Sequence, residues 1–222
     1  SADSTLYMVM LAGFNLLLSR YAQQSDISVG TSVANRSQSQ WQNMLGFFVN
    51  TLVMRNQVDE NASFASLLTQ VKATAADAYS HQDMPFDKLV ELLDIDREDN
   101  QSPLFQGMFV LNNALAQLSL KLADVDVSIF ATPLYHARFD LTLRVTDGEL
   151  ASDDRRIRCD MEFNTALYSK DFVQNMLAQY QHLLSQAVEQ YDAPLKQLSL
   201  LPPQSVQQVL SLGESGSQSA PD

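Results

Sequence analysis

Few side chains in this chain are equipped for chemistry, and their spacing narrows the choice. There are three histidines, His81, His136 and His182, and one cysteine, Cys159. No two of them have metal-ligand spacing, so no metal site is expected. The seven glycines are scattered and form no phosphate-cradling loop, and no Gly-x-Ser-x-Gly elbow exists to expose a nucleophile. His81 and Asp83 invite a base-and-orienter reading. Residues two apart on a helix do not face each other, however. The pair reads better as a corner in which His81 ends one helix and Asp83 caps the next. Asn50 lies inside the apolar run Gly46 to Arg55, Gly-Phe-Phe-Val-Asn-Thr-Leu-Val-Met-Arg. An unpaired buried amide costs about 1–3 kcal/mol. Asn50 therefore either hydrogen-bonds a neighbouring loop or faces a substrate.

The elements that must position these groups follow from periodicity. The Gly46–Arg55 run has no clean alternation and reads as a strand buried on both faces. Thr5 to Ala22 is a helix that is apolar nearly all round, hence buried on several sides. Ile27 to Val33 alternates, with Ser28, Gly30 and Ser32 forming a small-residue face that admits close packing. The polar stretch Ser37 to Asn43 is a loop, anchored by the sole tryptophan, Trp41. A helix beginning at Asn61 or Ser63 carries Phe64, Leu67, Leu68, Val71 and Ala75 at helical spacing and reaches His81. Pro85 suits the first turn of the next helix. Leu104 to Leu111 is a strand ending in Asn112-Asn113, and 119–122 and 125–130 are short edge strands. Phe139–Val145 and Ile157–Phe163 alternate and form an antiparallel pair, with Cys159 as a packing thiol. Ser169 or a neighbour caps a last helix with a core stripe of Phe172, Met176, Leu177, Tyr180, Leu183, Leu184, Ala187 and Val188. Residues 213–222 are expected to be disordered.

The totals agree with a folded chain. Its 222 residues are 45% hydrophobic, enough for a sizeable core. The formal net charge of -12 works against binding nucleic-acid phosphates or an anionic membrane. A single cysteine fits a reducing compartment, so a cytoplasmic location is expected. The chain starts without Met, as a piece of a longer polypeptide would.

Three stretches together carry a resemblance. Gly46 to Arg55, His81-Gln82-Asp83-Met84-Pro85-Phe86-Asp87 and, more loosely, Arg97 to Leu104 resemble three successive signatures of nonribosomal peptide synthetase condensation domains. Asp87 stands where Glu is commoner. Arg97, Pro103 and Leu104 match the third signature, while Glu98, Asn100, Gln101 and Ser102 depart from it. Val29-Gly30-Thr31 with Ala34-Asn35-Arg36, and Phe105 to Asn113, also look typical. The family's catalytic His-His-x-x-x-Asp-Gly is missing, because no two histidines are adjacent. The chain thus resembles the C-terminal lobe, with no catalytic residue of its own, over residues 1–200, and 201–222 look like a linker towards an adenylation domain.

The resemblance implies an α+β fold: a chloramphenicol-acetyltransferase-like half, with a mixed, mostly antiparallel sheet and helices packed on it. It implies one wall of a tunnel in which an acceptor amine attacks a donor thioester to form an amide. Phe48, Asn50 and Asn112 are the candidate tunnel residues, and Ser37–Asn43 the candidate floor loop. Arg36, Gly46, Arg55, His81, Asp83, Pro85, Phe86, Arg97 and Pro103 are the family-motif residues with structural roles. The implied partners are the N-terminal lobe, donor and acceptor carrier proteins and an adjacent adenylation domain. No cofactor is bound directly, since substrates ride on phosphopantetheine arms. Two other readings stay open: a stand-alone acyltransferase using His81, and a non-catalytic module that docks carrier proteins.

Overall fold

A computed structural model describes residues 4–36, 38–95, 102–112, 136–147, 157–202 and 206. Arg97, the expected strands at 119–122 and 125–130, and the tail 213–222 lie outside the described residues.

Among the described residues, five strands form one mixed sheet in the order β2-β1-β3-β4-β5. They are β1 (Asp26–Val33), β2 (Asn50–Gln57), β3 (Gly107–Asn112), β4 (Leu141–Thr146) and β5 (Arg158–Phe163). The outer pairs are antiparallel and the inner pairs β1–β3 and β3–β4 parallel. Among the described residues the sheet is thus mixed, as the expected α+β fold requires. Parallel pairing needs a long crossover, and between β1 and β3 the chain supplies one containing β2 and two helices.

Helices α1 (Leu6–Ala22), α2 (Phe64–Ser80) and α4 (Lys170–Glu189) cover one face, and the short α3 (Phe86–Leu92) sits by the β2 edge. Thr5, Ser63 and Ser169 cap α1, α2 and α4, each accepting a backbone N–H three residues on. The helix-covered face presents Ile27, Val29, Thr31 and Val33 of β1 and Leu52, Met54 and Asn56 of β2. It continues through Phe109 of β3 and Leu141, Leu143 and Val145 of β4. As expected, α1 is enclosed, with an unbroken buried run from Met10 to Leu17.

Two expectations need correction. The run Gly46–Arg55 is not a central strand buried on both faces. Its strand begins at Asn50, lies at the sheet edge and buries only alternate residues. Residues 44–49 form an exposed approach to it. The unbroken apolarity was the sum of a loop and a half-covered strand. On α4 the buried stripe is Val173, Met176, Tyr180, Leu183 and Ala187, whereas Phe172 and Val188 are exposed. Phe172 instead stacks on Tyr168 and meets Tyr21 edge-on at the helix start.

The small-residue face of β1 receives Phe105, which is buried and contacts the rings of Phe86 and Phe139. Cys159 packs against the core, and burial pushes its thiol up to about 11. At the outer edge of β2, alternate residues turn their backbone groups away from β1. The Gln57 N–H there is taken by Gln70 Oε1 at 2.9 Å.

Candidate functional site

The candidate residues gather at one end of the sheet, where β1 and β3 finish and β2 begins. Val33 pairs with Asn50, and Asn112 pairs with Thr146. β1 separates the strands of Asn50 and Asn112, which at normal strand spacing puts them roughly 10 Å apart. They do not converge: Asn50 belongs to the helix-covered side with Val33, and Asn112 to the opposite side.

Asn50 has its hydrogen-bonding capacity engaged. Its Nδ2 donates to the carbonyls of Gln82 at 2.8 Å and Met84 at 2.7 Å, and its Oδ1 accepts the Phe86 N–H at 3.2 Å. Of the two roles open to it from sequence, bonding a neighbouring loop is the one seen. The Gly46–Arg55 stretch is thereby tied to the His81–Asp87 stretch. Phe86 is the first residue of α3, whose N-cap, Pro85, offers no side-chain acceptor. The expectation that Asp83 caps this helix is therefore corrected. The cap comes from a distant strand because the Pro85 ring has no hydrogen-bonding group.

His81 closes α2 at the position expected. Its backbone N–H donates to Ala78 and Tyr79 carbonyls, and its exposed ring places Nδ1 2.8 Å from the Asp77 carbonyl and 2.9 Å from Ser80 Oγ. Asp83 is exposed at the same corner.

The stretch from Ala34 to Val49 leaves the same sheet end, with a 3-10 turn at Ser39–Trp41. Phe48 stacks on Trp41 with centroids 6.3 Å apart, and the Arg36 guanidinium lies 4.3 Å from the Phe48 centroid. Arg36 also donates to the carbonyls of Trp41 and of Met44, the latter at 2.8 Å. Trp41 is thus an anchor, as expected. Gly46 allows the turn-back, because a Cβ there would lie 2.9 Å from the Phe48 ring.

Sequence reasoning missed what surrounds this end. A shallow depression of about 370 Å³ is lined by Ser32, Val33, Asn35, Arg36, Tyr79 and Gln82. Asn35 adopts a left-handed φ of 48° and its buried Oδ1 has no partner among the described residues. Tyr7, from α1, meets Tyr79 and Phe109, and burial raises its hydroxyl well above the usual tyrosine range. The signal available was Asn35 itself, a residue that tolerates left-handed backbone, placed directly after a strand.

A larger cavity, about 900 Å³, opens at the other end of the sheet among Ile27, Val53, Leu89, Leu141 and Phe172. Arg55 lies on it, paired with Asp26 at 2.6 Å. The guanidinium holds the Asp26 carboxyl below the usual carboxylate range. Among the described residues no group of three His, Cys, Asp or Glu could hold a metal ion, and no helix is long and apolar enough to cross a membrane.

Residues 1–210 match the Condensation domain profile. The chain belongs to the condensation-domain family. Tyrocidine synthase 3 of Brevibacillus parabrevis is 39% identical over 200 residues, and surfactin synthase subunit 1 of Bacillus subtilis (strain 168) 37% over 198. The alignments cover 90% and 89% of this chain, but only 3% and 5% of those synthases. Among solved structures, a four-domain nonribosomal peptide synthetase, holo-AB3403, aligns with a TM-score of 0.82 at 22% identity, over 92% of this chain and 16% of that one. The X-domain from teicoplanin biosynthesis aligns at 0.80 and 21% identity, over 89% of this chain and 44% of that one. The condensation-domain fold, chloramphenicol-acetyltransferase-like and α+β, is thus shared, and the chain accounts for less than half of such a domain.

Proposed function

We propose that this chain is the C-terminal lobe of a condensation domain and supplies one wall of the tunnel in which an amide bond forms. The observation that carries this reading is the gathering of the Ala34–Val49 loop, Asn50 and Asn112 at one sheet end, in a chain that aligns with 44% of a comparable domain. The other lobe would bring the His-His-x-x-x-Asp-Gly motif. Donor and acceptor carrier proteins would deliver thioesters on phosphopantetheine arms, and the acceptor amine would attack the donor carbonyl, releasing the donor's thiol.

Within that wall, Asn50 acts as a positioning residue that fixes the corner of residues 82–86. Asn112, on the helix-free side, is left as the amide available to a substrate or pantetheine group. Phe48 shapes the loop root. Arg36, Gly46, Arg55, His81, Asp83, Pro85, Phe86 and Pro103 hold the wall together, and residues from about 201 lead towards an adenylation domain. The geometry of His81, turned to its own helix end, supports a structural role over that of a general base.

The test is a condensation assay with loaded donor and acceptor carriers. It is run on this chain alone and on an intact two-lobe domain containing it. Product from the intact domain only is the expected result. Turnover by the chain alone, abolished by His81→Ala, would replace this reading with a self-sufficient acyltransferase.

A further inference from the structure

The sheet comes apart at the end where the candidate residues gather. β1 stays paired with β2 to its last residue, Val33 with Asn50, and β3 stays paired with β4 to Asn112 with Thr146. Between β1 and β3, both internal to the sheet, pairing stops early, at Thr31 with Phe109. Ser32 is exposed and Val110, Leu111 and Asn112 are only half-buried, although all four lie on internal strands. The hydrogen-bond phase fixes which backbone groups are left over. The Val58 N–H donates to the Ser25 carbonyl, so Ile27, Val29, Thr31 and Val33 turn their backbone groups to β2, and Ser28, Gly30 and Ser32 turn theirs to β3. The Gln106 carbonyl accepts the Leu141 N–H, so Gly107, Phe109 and Leu111 turn to β1. A parallel ladder carried past Phe109 would bond the Leu111 N–H to the Ser32 carbonyl and the Ala34 N–H to the Leu111 carbonyl. Neither bond is made, and no other described residue takes these four groups. At the vertex the Thr31 hydroxyl donates to the Phe109 carbonyl at 2.9 Å and closes the ladder. Backbone groups inside a sheet are costly to leave without partners.

We propose that a pantetheine arm lies in this notch as a short surrogate strand, its amides bonded to the free backbone groups of Ser32, Ala34 and Leu111. The inference rests on the lobe reading above and makes main-chain groups, rather than side chains, the receptor for the arm. The occupant follows from chemistry and size. The notch offers two donors, the N–H groups of Ala34 and Leu111, and two acceptors, the carbonyls of Ser32 and Leu111. A pantetheine arm carries two secondary amides, each with one N–H and one carbonyl, so the two sets match. The notch runs for two residues on each side, about 7 Å at strand spacing. A polypeptide strand usually spans about five or six residues and would find too short a seat. The arm is also linear, with no side chains beside its amides to collide with those of β1 and β3. The depression of about 370 Å³ lined by Ser32, Val33, Asn35 and Tyr79 adjoins the notch and has room for the rest of the arm.

Amide hydrogen exchange, resolved to single residues, tests this on the intact two-lobe domain. Three states are compared: the domain alone, the domain saturated with a carrier protein lacking its arm, and the domain saturated with the same carrier bearing an arm with an amide-linked aminoacyl group that cannot be transferred. Donor and acceptor carriers are tried in turn, and condensation by the domain is measured in parallel. Gly30, whose backbone groups are already in the β1–β3 ladder, serves as the control. The expected result is exchange about tenfold slower or more at Leu111 and Ala34 with one armed carrier than with its arm-free form, and no change at Gly30. Equal rates with armed and arm-free carriers overturn the proposal. Full protection of Leu111 and Ala34 in the domain alone also overturns it, by making another part of the domain the occupant. Slowing that extends equally to Gly30 overturns it as well, since that is general stabilisation. An unprotected notch in a domain that condenses sinks this inference alone. A notch protected by the arm in a domain that forms no amide sinks the functional reading alone.

Discussion

The ring of Phe105 occupies the space that a side chain at Gly30 would need. A Cβ there would lie 2.2 Å from Cε2, below any real contact, and Phe105 is itself held between Phe86 and Phe139. Three family-like stretches thus meet on the side of β1 opposite α1, α2 and α4. Gly30→Ala must push the ring aside in a packed cluster. The expected cost is about 1–3 kcal/mol, read from urea unfolding. Combining Gly30→Ala with Phe105→Leu should cost clearly less than the sum of the two single changes. Additive losses would show that the contact is not what makes glycine necessary.

Asn50→Ala removes a helix cap and two carbonyl partners at once. Stability should fall by about 1–3 kcal/mol, and amide exchange should accelerate at Phe86. Asn50→Asp should be no rescue, since it sets a carboxylate against the Gln82 and Met84 carbonyls. If Asn50→Asp matched the parent in stability and in protection of Phe86, the proposed positioning role would fail.

Neither polar atom of Asn15, fully buried in α1, has a partner among the described residues. Asn15→Leu conserves bulk and removes an unpaired amide from the core. It should raise stability by about 1–3 kcal/mol, visible as a higher Tm. A lower Tm would reveal a role for the amide that its surroundings do not display.

The Cys159 thiol titrates at about 11 in the fold against an ordinary value of 9.0, so the native state disfavours the thiolate. The unfolded chain loses this proton first as pH rises. The stability contributed by the neutral thiol is therefore complete below pH 9 and drains away between pH 9 and about 11. Iodoacetamide at pH 8 should modify Cys159 slowly in the native protein and rapidly in urea. In Cys159→Ser, the part of the alkaline stability loss due to this group should be absent.

Elements governed by one strong periodicity were legible from the sequence: α1, the alternation of β1, and the β4–β5 pair. The Gly46–Val49 segment misled because an apolar residue reads the same whether its cover is the protein's own core or another body. Residues 172 and 188 misled because the α4 stripe is apolar over more than its buried width, and only packing against α1 fixes its phase. The cap on α3 was illegible for a different reason. Asn50 and Phe86 are 36 positions apart, and nothing in either local pattern announces a bond that exists only once the sheet edge and the corner meet. Phe48, Asn50 and Asn112 come to one sheet end, but Asn50 and Asn112 lie on opposite sides of the sheet. Their directions depend on strand register, which residue types alone do not specify.

The edge of β2 carries one more consequence. An open strand edge is a template on which another chain can polymerise. Here Gln70 occupies the outward N–H of Gln57 at one end, and the Asn50-bound corner closes the other. Only Thr51, Val53 and Arg55 keep outward backbone groups, a ladder roughly 14 Å long at strand spacing. Arg55, charged and clasped to Asp26, interrupts even that. Copies of the protein that meet along β2 are thereby given little purchase for cross-β growth, because the amides of Gln70 and Asn50 occupy its two ends.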